Sequence, residues 1–348
     1  MNDDDRAETV TDEDEDATRF QMRITLPTDE NGYTGRQCPD PACQRYFKVT
    51  FGTGLPAVAQ SYCPYCGHAA EADRFLTPDQ RAYVLSIFEG EVTNYLADQL
   101  KPYEFDMPPT GPFGIGLSLK IETTPPPILH YLEEQLETHV ICANCTLRYA
   151  IYGVFAYCPD CGIHNSFQIL QKNLEVAEKI AASAAQVDSD FDPNLAAQLI
   201  ANALQAQVSA FDAFGRETCR IHAAQATSPD KVENLSFQNL PGAQKRVQQF
   251  FNLDLAASTP PDDWQFACRC FQKRHLLAHK AGVIDEDYVK RANDPQAIVG
   301  HKISLTPDEI TRLAQILSLM GQHLVQELTP SAAAPDPTGE TPESESRE

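Results

Sequence analysis

The sequence predicts an α+β chain in which two small modules with short β-strands are followed by an all-helical bundle. Two observations predict the modules: most of the cysteines fall into two clusters of four, and the second cluster ends with nearly the same sequence as the first. A third observation predicts the bundle, because apolar residues recur with helical spacing after Cys161. A chain of 348 residues is long enough to contain units of both kinds.

The two cysteine clusters have the spacing of metal-binding modules. CPDPACQRYFKVTFGTGLPAVAQSYCPYCG contains Cys38, Cys43, Cys63 and Cys66, and CANCTLRYAIYGVFAYCPDCG contains Cys142, Cys145, Cys158 and Cys161. The closing segments SYCPYCG and AYCPDCG indicate two copies of one module. Cysteine pairs with two or four residues between them suit a tetrahedral site, so each cluster predicts one structural Zn²⁺ ion.

Structural zinc explains how such short modules fold. About thirty residues bury too little apolar surface to fold alone, and zinc binding supplies the missing free energy. Because all four positions are Cys, no coordination position remains for a catalytic water. Gly67 and Gly162 follow the last Cys of each cluster and permit the positive φ of a metal-binding turn. The segments resemble zinc ribbons over residues 36–68 and 140–163; disulfides and redox thiols are the alternatives.

The charge is distributed unevenly along the chain. The net charge is −22, yet residues 241–302 hold nine Lys or Arg against seven Asp or Glu. Residues 1–18 and 329–348 are acidic and poor in apolar side chains, so we expect disordered tails there. There is no apolar run of about 18 residues and no signal-peptide pattern, so we expect a cytoplasmic protein without membrane association.

Helix starts and apolar spacing predict the remaining elements. Thr77-Pro78-Asp79-Gln80 has the form of a helix start, and residues 102–127 are rich in Pro and Gly and predict a loop or an edge strand. The later candidate helices are 166–187, 193–224, 242–252, 263–281 and 306–328. The predicted units are an acidic tail (1–18), a first ribbon (19–72), a helix with a connector (73–135), a second ribbon (136–164), a helical domain (165–328) and a second tail (329–348).

The helix predicted over 263–281 carries the main catalytic candidates. At about 100° per residue, Arg274 and His279 flank one face of this helix with His275 between them. A guanidinium binds phosphate oxygens, and imidazoles transfer protons near neutral pH. This combination suits a site that binds a phosphate and transfers a proton.

The stretch Arg274-His275-Leu276-Leu277-Ala278-His279 resembles the R-x4-H motif of HEPN domains, in which a polar residue follows the Arg. The region from about 165 to 328 is similar to their helical bundle. The resemblance implies a metal-independent endoribonuclease that dimerises around a composite site and leaves a 2′,3′-cyclic phosphate. It also implies that His279 is the general acid or base, that Arg274 stabilises the phosphorane, and that His275 orients His279 or contacts the phosphate. Such domains recur in bacterial defence and toxin systems.

We therefore expect an RNA substrate, a homodimer formed through the helical domain, and ribbons that dock the substrate or a protein partner. The alternative is a non-catalytic adaptor that binds RNA or protein and uses Arg274 and His279 in its dimer interface. A zinc-ribbon regulator of transcription fits least well, because the acidic body would repel DNA. Packing or surface roles for His275 and His279 are also open, as is a chance metal-binding pair.

The remaining candidates have structural interpretations. Cys219, Cys268 and Cys270 lie outside the clusters and are expected to be small buried side chains. Tyr46 and Tyr149 are expected in the ribbon cores, and His68 at the surface. Asp285, Glu286 and Asp287 are expected to cap a short helix. Four cations near the motif predict either solvated side chains or a basic rim that faces RNA: Lys273, Lys280, Lys290 and Arg291.

Overall fold

The computed structural model describes residues 24–56, 60–107, 117–122, 124–134, 136, 138–186 and 194–329. It confirms the predicted fold class, with small antiparallel sheets in the N-terminal half and helices in the C-terminal half. Apart from Thr329, both predicted tails lie outside the described residues. None of the helices in the described ranges is both long enough and apolar enough to cross a membrane.

The strands are β1 (Thr34–Gln37), β2 (Tyr46–Val49), β3 (Ser61–Tyr62), β4 (Ala69–Ala70), β5 (Phe105–Met107), β6 (Leu117–Leu119), β7 (Thr138–Ile141) and β8 (Arg148–Ile151). The helices are α1 (Pro78–Leu100), α2 (Ser166–Ser183), α3 (Leu195–Ile221), α4 (Pro229–Val232), α5 (Leu240–Phe251), α6 (Pro261–Lys280), α7 (Glu286–Ala292) and α8 (Pro307–Leu328).

The two cysteine modules share one four-stranded antiparallel sheet. Its strand order is β1-β2-β8-β7, so one hairpin from each module contributes half of the sheet. The hairpins meet where β2 pairs with β8, with Lys48 opposite Ala150 and Val49 opposite Tyr149. Phe47 and Tyr149 are fully buried in the core beneath this seam.

A second set of contacts repeats itself across the seam. The Tyr62 N–H donates to the Pro159 carbonyl at 2.8 Å, and the Tyr157 N–H donates to the Pro64 carbonyl at 2.8 Å. Each tyrosine ring also lies against the glycine of the opposite module: a Cβ at Gly67 would be 3.2 Å from Tyr157, and one at Gly162 would be 3.1 Å from Tyr62. The two modules therefore pack as a reciprocal pair within one chain.

Helix α1 begins as predicted, with a capping box in which the Gln80 N–H donates to the Thr77 hydroxyl. The Gln80 side chain is buried and donates to the Gly35 carbonyl at 2.9 Å, which attaches the start of α1 to the first ribbon. The connector predicted over 102–127 contains a short antiparallel pair, β5 with β6. This agrees with the interpretation as a loop or an edge strand.

The helical half has its own core, formed mainly by α2, α3, α6 and α8. Close approach requires Gly321 on α8, because a Cβ there would be 2.8 Å from Leu170 on α2. Helices α5 and α6 begin two residues earlier than predicted, each with a proline in its first turn. Asp285 caps α7, as expected for the acidic segment, whereas the short helix α4 was not predicted.

The two halves are connected directly through the second ribbon. Helix α2 begins five residues after Cys161, and the Asn165 side chain accepts from the Ala156 N–H at 2.8 Å. The His164 ring packs against Tyr157 and places its Nε2 3.4 Å from Glu217 on α3. These contacts anchor the ribbon pair to the bundle.

Candidate metal centres and candidate active site

Four cysteines of the first ribbon converge at one point. Cys38 and Cys43 come from the turn between β1 and β2, and Cys63 and Cys66 come from the turn between β3 and β4. All four sulfurs lie within 4.8 Å of one another. The Sγ–Sγ distances are 3.7 Å for Cys38–Cys66 and 3.8 Å for Cys43–Cys63.

The second ribbon repeats this arrangement. Cys142 and Cys145 lie in the turn between β7 and β8, and Cys158 and Cys161 lie in the following turn. The Sγ–Sγ distances are 3.7 Å for Cys142–Cys161 and 3.5 Å for Cys145–Cys158. The four-residue gap between Cys38 and Cys43 therefore assembles a cluster as compact as the two-residue gap between Cys142 and Cys145.

The sulfur separations fit a shared cation. Four thiolates about 2.3 Å from a central ion form a tetrahedron with edges of about 3.8 Å, whereas a disulfide needs sulfurs about 2.05 Å apart. Backbone N–H groups also face the sulfurs: those of Tyr65 and Cys66 face Cys63, and those of Asp160 and Cys161 face Cys158 in the equivalent positions. The eight sulfurs can thus hold two metal ions, one in each ribbon.

Burial affects the cysteines of each cluster unequally. Burial raises the pKa of Cys43 and Cys142, but hydrogen bonds outweigh it and lower the pKa of both thiols. At Cys38 and Cys145 burial makes the thiolate costly and raises the pKa to about 12 and about 11, respectively. A bound cation would reverse this preference, because metal ligation stabilises the thiolate over the thiol.

The three cysteines outside the clusters lie in the helical half, as expected. Cys219 and Cys270 are fully buried, and Cys268 packs against the same core. Burial raises the pKa of Cys219 and of Cys270 to about 12. They contribute packing in the helical core.

Helix α6 brings Arg274, His275 and His279 to one cavity, as the helical spacing predicted. The rings of His275 and His279 are 4.7 Å apart between centroids and tilted by 52°. Both imidazoles are exposed, and Arg274 is half-buried beside them. The cavity has a volume of about 360 Å³ and opens to solvent, so a polymer chain could lie across it.

Two more arginines line this cavity. Arg246 comes from α5 and donates to the Asn234 carbonyl at 3.2 Å, and Arg291 comes from α7. Both line the cavity wall together with Arg274. Arg291 was a candidate from sequence, whereas Arg246 was not; its only signal was a position in the locally basic stretch 241–302.

The segment that precedes α5 forms another wall. The Arg274 Nη1 donates to the Gln238 Oε1 at 3.3 Å. Asn239 caps α5 by accepting from the Gly242 N–H at 3.4 Å. Gln238, Asn239 and Gly242 all line the cavity. The candidate site therefore contains three guanidinium groups, two imidazoles and the start of a helix, a set that favours anions.

Lys273 does not belong to a basic rim. Its side chain is only 9% exposed, and its Nζ donates to Glu309 at 2.7 Å and to the Ser304 carbonyl at 2.8 Å. It is an internal tie between α6 and the start of α8, because the helical turn points it away from Arg274. Lys280 is exposed, and Lys290 faces Glu286 at 3.7 Å.

Two of the three ribbon candidates have the expected positions: Tyr149 is fully buried in the ribbon core, and His68 is exposed. The expectation for Tyr46 was wrong, because successive residues of a strand face opposite sides of the sheet and Phe47 takes the core side. Tyr46 is half-buried against a separate small cluster of Tyr33, Leu136 and Ala150, and its hydroxyl donates to Glu133.

Comparison with models of known protein families, with curated proteins and with solved structures finds no match to this chain. The resemblance to HEPN domains therefore stays a prediction from the residues Arg274 to His279. What the chain does has to be inferred from the chemistry of its own sites.

Proposed function

We propose that this protein is a metal-independent endoribonuclease of HEPN type, with its active site in the cavity on α6. The observation that carries the proposal is the convergence of Arg274, His275 and His279 with Arg246 and Arg291 on one open cavity. Three positive side chains attract the backbone of a nucleic acid, and two imidazoles can accept and donate protons. We propose a bacterial defence or toxin context from the HEPN resemblance alone.

The chemistry uses the 2′-hydroxyl of the RNA as the nucleophile. His279 takes the proton from the 2′-OH, and the 2′-oxygen forms a bond to the adjacent phosphorus. Arg274 binds the phosphoryl oxygens as negative charge accumulates, and His275 contacts the phosphate or orients His279. The P–O5′ bond then breaks, the 5′-oxygen takes up a proton from solvent water, and His279 returns its proton to solvent. The products carry a 2′,3′-cyclic phosphate and a 5′-hydroxyl. No step requires a metal ion in the cavity.

We propose zinc as the metal of the two ribbon sites. Four cysteine ligands and sulfur separations near 3.7 Å suit tetrahedral Zn²⁺, and a four-thiolate site with no open position has a structural role. The ribbon pair would then present a rigid surface beside the helical half that docks the substrate or a protein partner. The resemblance to HEPN domains further implies a homodimer in which two α6 helices face each other.

Cleavage of a mixed RNA pool in magnesium-free buffer tests the proposal. Wild-type protein is expected to leave 2′,3′-cyclic phosphate ends, and Arg274→Ala and His279→Ala are each expected to lower kcat by about 10²-fold or more. His323→Ala is the matched control, because this half-buried histidine lies on α8, away from the cavity lining, and contacts the Asp254 carbonyl. Wild-type protein that cleaves no better than the two variants would favour the adaptor instead. Cleavage of DNA as well as RNA would rule out the 2′-hydroxyl as the nucleophile, because DNA has none.

Substrate binding gives a second test that does not depend on turnover. A single-stranded RNA with 2′-O-methyl groups throughout cannot be cleaved by this chemistry and still carries every phosphate. Arg246→Ala and Arg291→Ala are each expected to weaken its binding and to reduce the slope of log K against log salt by about 0.7. Lys290→Ala is the control, since this lysine faces Glu286. Equal salt slopes in all four proteins would mean that neither arginine contacts a phosphate.

A further inference from the structure

A buried carboxylate lies directly behind the wall of the α6 cavity. Asp212 on α3 is only 7% exposed and accepts three hydrogen bonds from one short segment. The donors are the Phe237 N–H at 2.6 Å, the Ser236 hydroxyl at 3.2 Å and the Gln238 Nε2 at 3.2 Å. This segment, 236–238, leads into α5 and supplies the residues that line the cavity beside Arg274.

The carboxylate determines which way the Gln238 amide faces. A carboxylate only accepts hydrogen bonds, so the amide must direct its NH₂ group toward Asp212. Its oxygen then points away from Asp212, and this oxygen accepts from the Arg274 Nη1 at 3.3 Å. The Asp212 carboxylate thus orients the Gln238 amide, and the amide in turn orients the Arg274 guanidinium.

The segment is also fixed sterically from the same helix. The Phe237 ring is fully buried and packs edge-on against Phe211, with centroids 5.9 Å apart. Gly215, three residues after Asp212, leaves the space for this ring, because a Cβ there would be 2.7 Å from it. The ring of Phe237 is fixed by packing and its backbone N–H by the hydrogen bond to Asp212. The next residue, Gln238, is therefore kept beside Asp212.

We propose that Asp212 is a positioning residue that holds the Arg274 guanidinium in place through Gln238. The role of Arg274 in phosphate chemistry rests on the proposed function, whereas the Asp212–Gln238–Arg274 relay rests on the contacts alone. A guanidinium that is already oriented loses less freedom when it binds a phosphate, and its contacts with the reacting phosphoryl group are better aligned.

Two single substitutions and their combination test the relay. Asp212→Asn keeps one oxygen for the Phe237 N–H but places a second NH₂ group against the NH₂ of Gln238. Gln238→Glu places two carboxylates against each other. The double variant restores a donor facing an acceptor, because the new amide NH₂ can donate to the new carboxylate, which still accepts from Arg274. We therefore expect kcat to fall about tenfold in each single variant and to recover to within about threefold of wild type in the double variant, with little change in KM.

Asp254→Asn is the matched control. Asp254 also accepts from a glutamine side chain, Gln244, at 2.8 Å and from a backbone N–H, that of Ala256, at 3.0 Å, but it lies outside the cavity lining. We expect kcat to be unchanged in this variant. A double variant of Asp212 and Gln238 that is as impaired as the singles would assign Asp212 a merely structural role.

The side-chain ¹⁵N–¹H signal of Arg274 gives a measurement that does not require activity. It is assigned by its loss in Arg274→Lys and is expected to report an ordered guanidinium in wild type and in the double variant, but a mobile one in both single variants. If RNA is cleaved and this pattern fails, the relay is wrong and the proposed function stands. If the pattern is observed and no RNA is cleaved, the relay stands and the proposed function is wrong.

Discussion

Glu217 is the residue whose charge connects the ribbon pair to the bundle. Its carboxylate accepts from Arg220 at 2.7 Å and lies 3.4 Å from the His164 Nε2. Burial raises the pKa of Glu217, but the hydrogen bonds from Arg220 and His164 outweigh burial and lower the pKa to about 2, from an ordinary value of 4.5. The carboxylate therefore binds its proton more weakly when folded than when unfolded. Its stabilising contribution is present above about pH 4.5 and is lost as the pH falls toward 2.

We predict that Glu217→Gln lowers the free energy of unfolding by about 1–2 kcal/mol at pH 7, a value reduced for solvent screening because Arg220 is half exposed. The variant should also lose less stability than wild type between pH 5 and pH 2. Urea unfolding followed by the fluorescence of Trp264, the single tryptophan, measures both. Glu175→Gln is the control, since Glu175 pairs with Lys172 on an exposed helix face. Parallel pH profiles for wild type and Glu217→Gln would contradict the prediction.

At the same scale, the catalytic candidates were predictable because they share one helix. Arg274, His275 and His279 are brought together by the helical repeat alone, which needs no knowledge of the fold. Arg246 and Gln238 reach the same cavity from other elements, and only the packing of α5 against α6 brings them there. For Lys273, closeness in sequence was misleading. Its neighbours Gln272 and Arg274 line the cavity, but successive residues of a helix point about 100° apart, so Lys273 faces Glu309 instead.

At the scale of elements, two helix glycines have different roles: Gly321 allows two helices to pack closely, whereas Gly90 makes no such contact and only lowers helix propensity. Gly321 lies where α8 crosses α2 and α3, and an added Cβ would be 2.8 Å from Leu170 and 3.2 Å from Phe214. Gly90 lies within α1, and an added Cβ there meets nothing within 4 Å. Replacing glycine with alanine is therefore expected to lower the free energy of unfolding at Gly321 and to raise it at Gly90.

We predict that Gly321→Ala destabilises the bundle by about 1–3 kcal/mol, because the methyl group must displace buried side chains. Gly90→Ala should stabilise α1 by about 0.5–1 kcal/mol, because alanine restricts the unfolded chain and suits a helix interior. Differential scanning calorimetry of the two variants and wild type measures both changes. A stabilised Gly321→Ala variant would mean that α8 is farther from α2 than the structure has it.

The starts of the long helices followed from local chemistry, and the pairing of the ribbons did not. Thr306 and Glu309 satisfy each other's backbone donors within four residues, so the start of α8 is readable from sequence. The repeat SYCPYCG and AYCPDCG predicts two copies of a module but not that they pack together. That contact depends on two strand edges about a hundred residues apart, Val49 against Tyr149, and on turns whose Tyr62 and Tyr157 bond across the seam.

At the scale of the whole molecule, the two halves are stabilised by different means. The helical half buries an extensive core of leucine, phenylalanine and other apolar side chains from six of its helices. The core of the ribbon pair is much smaller and includes the metal-site cysteines themselves. The short strands β1, β2, β7 and β8 extend from the turns that carry these cysteines, so metal ions bound there would help to fix the register of the sheet.

Metal removal should therefore affect the two halves unequally. After treatment with a strong chelator, we predict rapid amide hydrogen exchange in β1, β2, β7 and β8, whereas α3 and α8 should keep most of their protection. The reason is that a structural metal ion adds folding free energy only to the module that contains its ligands. Cys145→Ser should reproduce the loss in the second ribbon, and Cys219→Ser, which alters a cysteine outside the clusters, should leave exchange in the strands unchanged. Loss of protection in α3 and α8 together with the strands would mean instead that Glu217 and the other contacts at the junction make the chain one cooperative unit, and the unfolding of ribbons and bundle would then coincide in calorimetry.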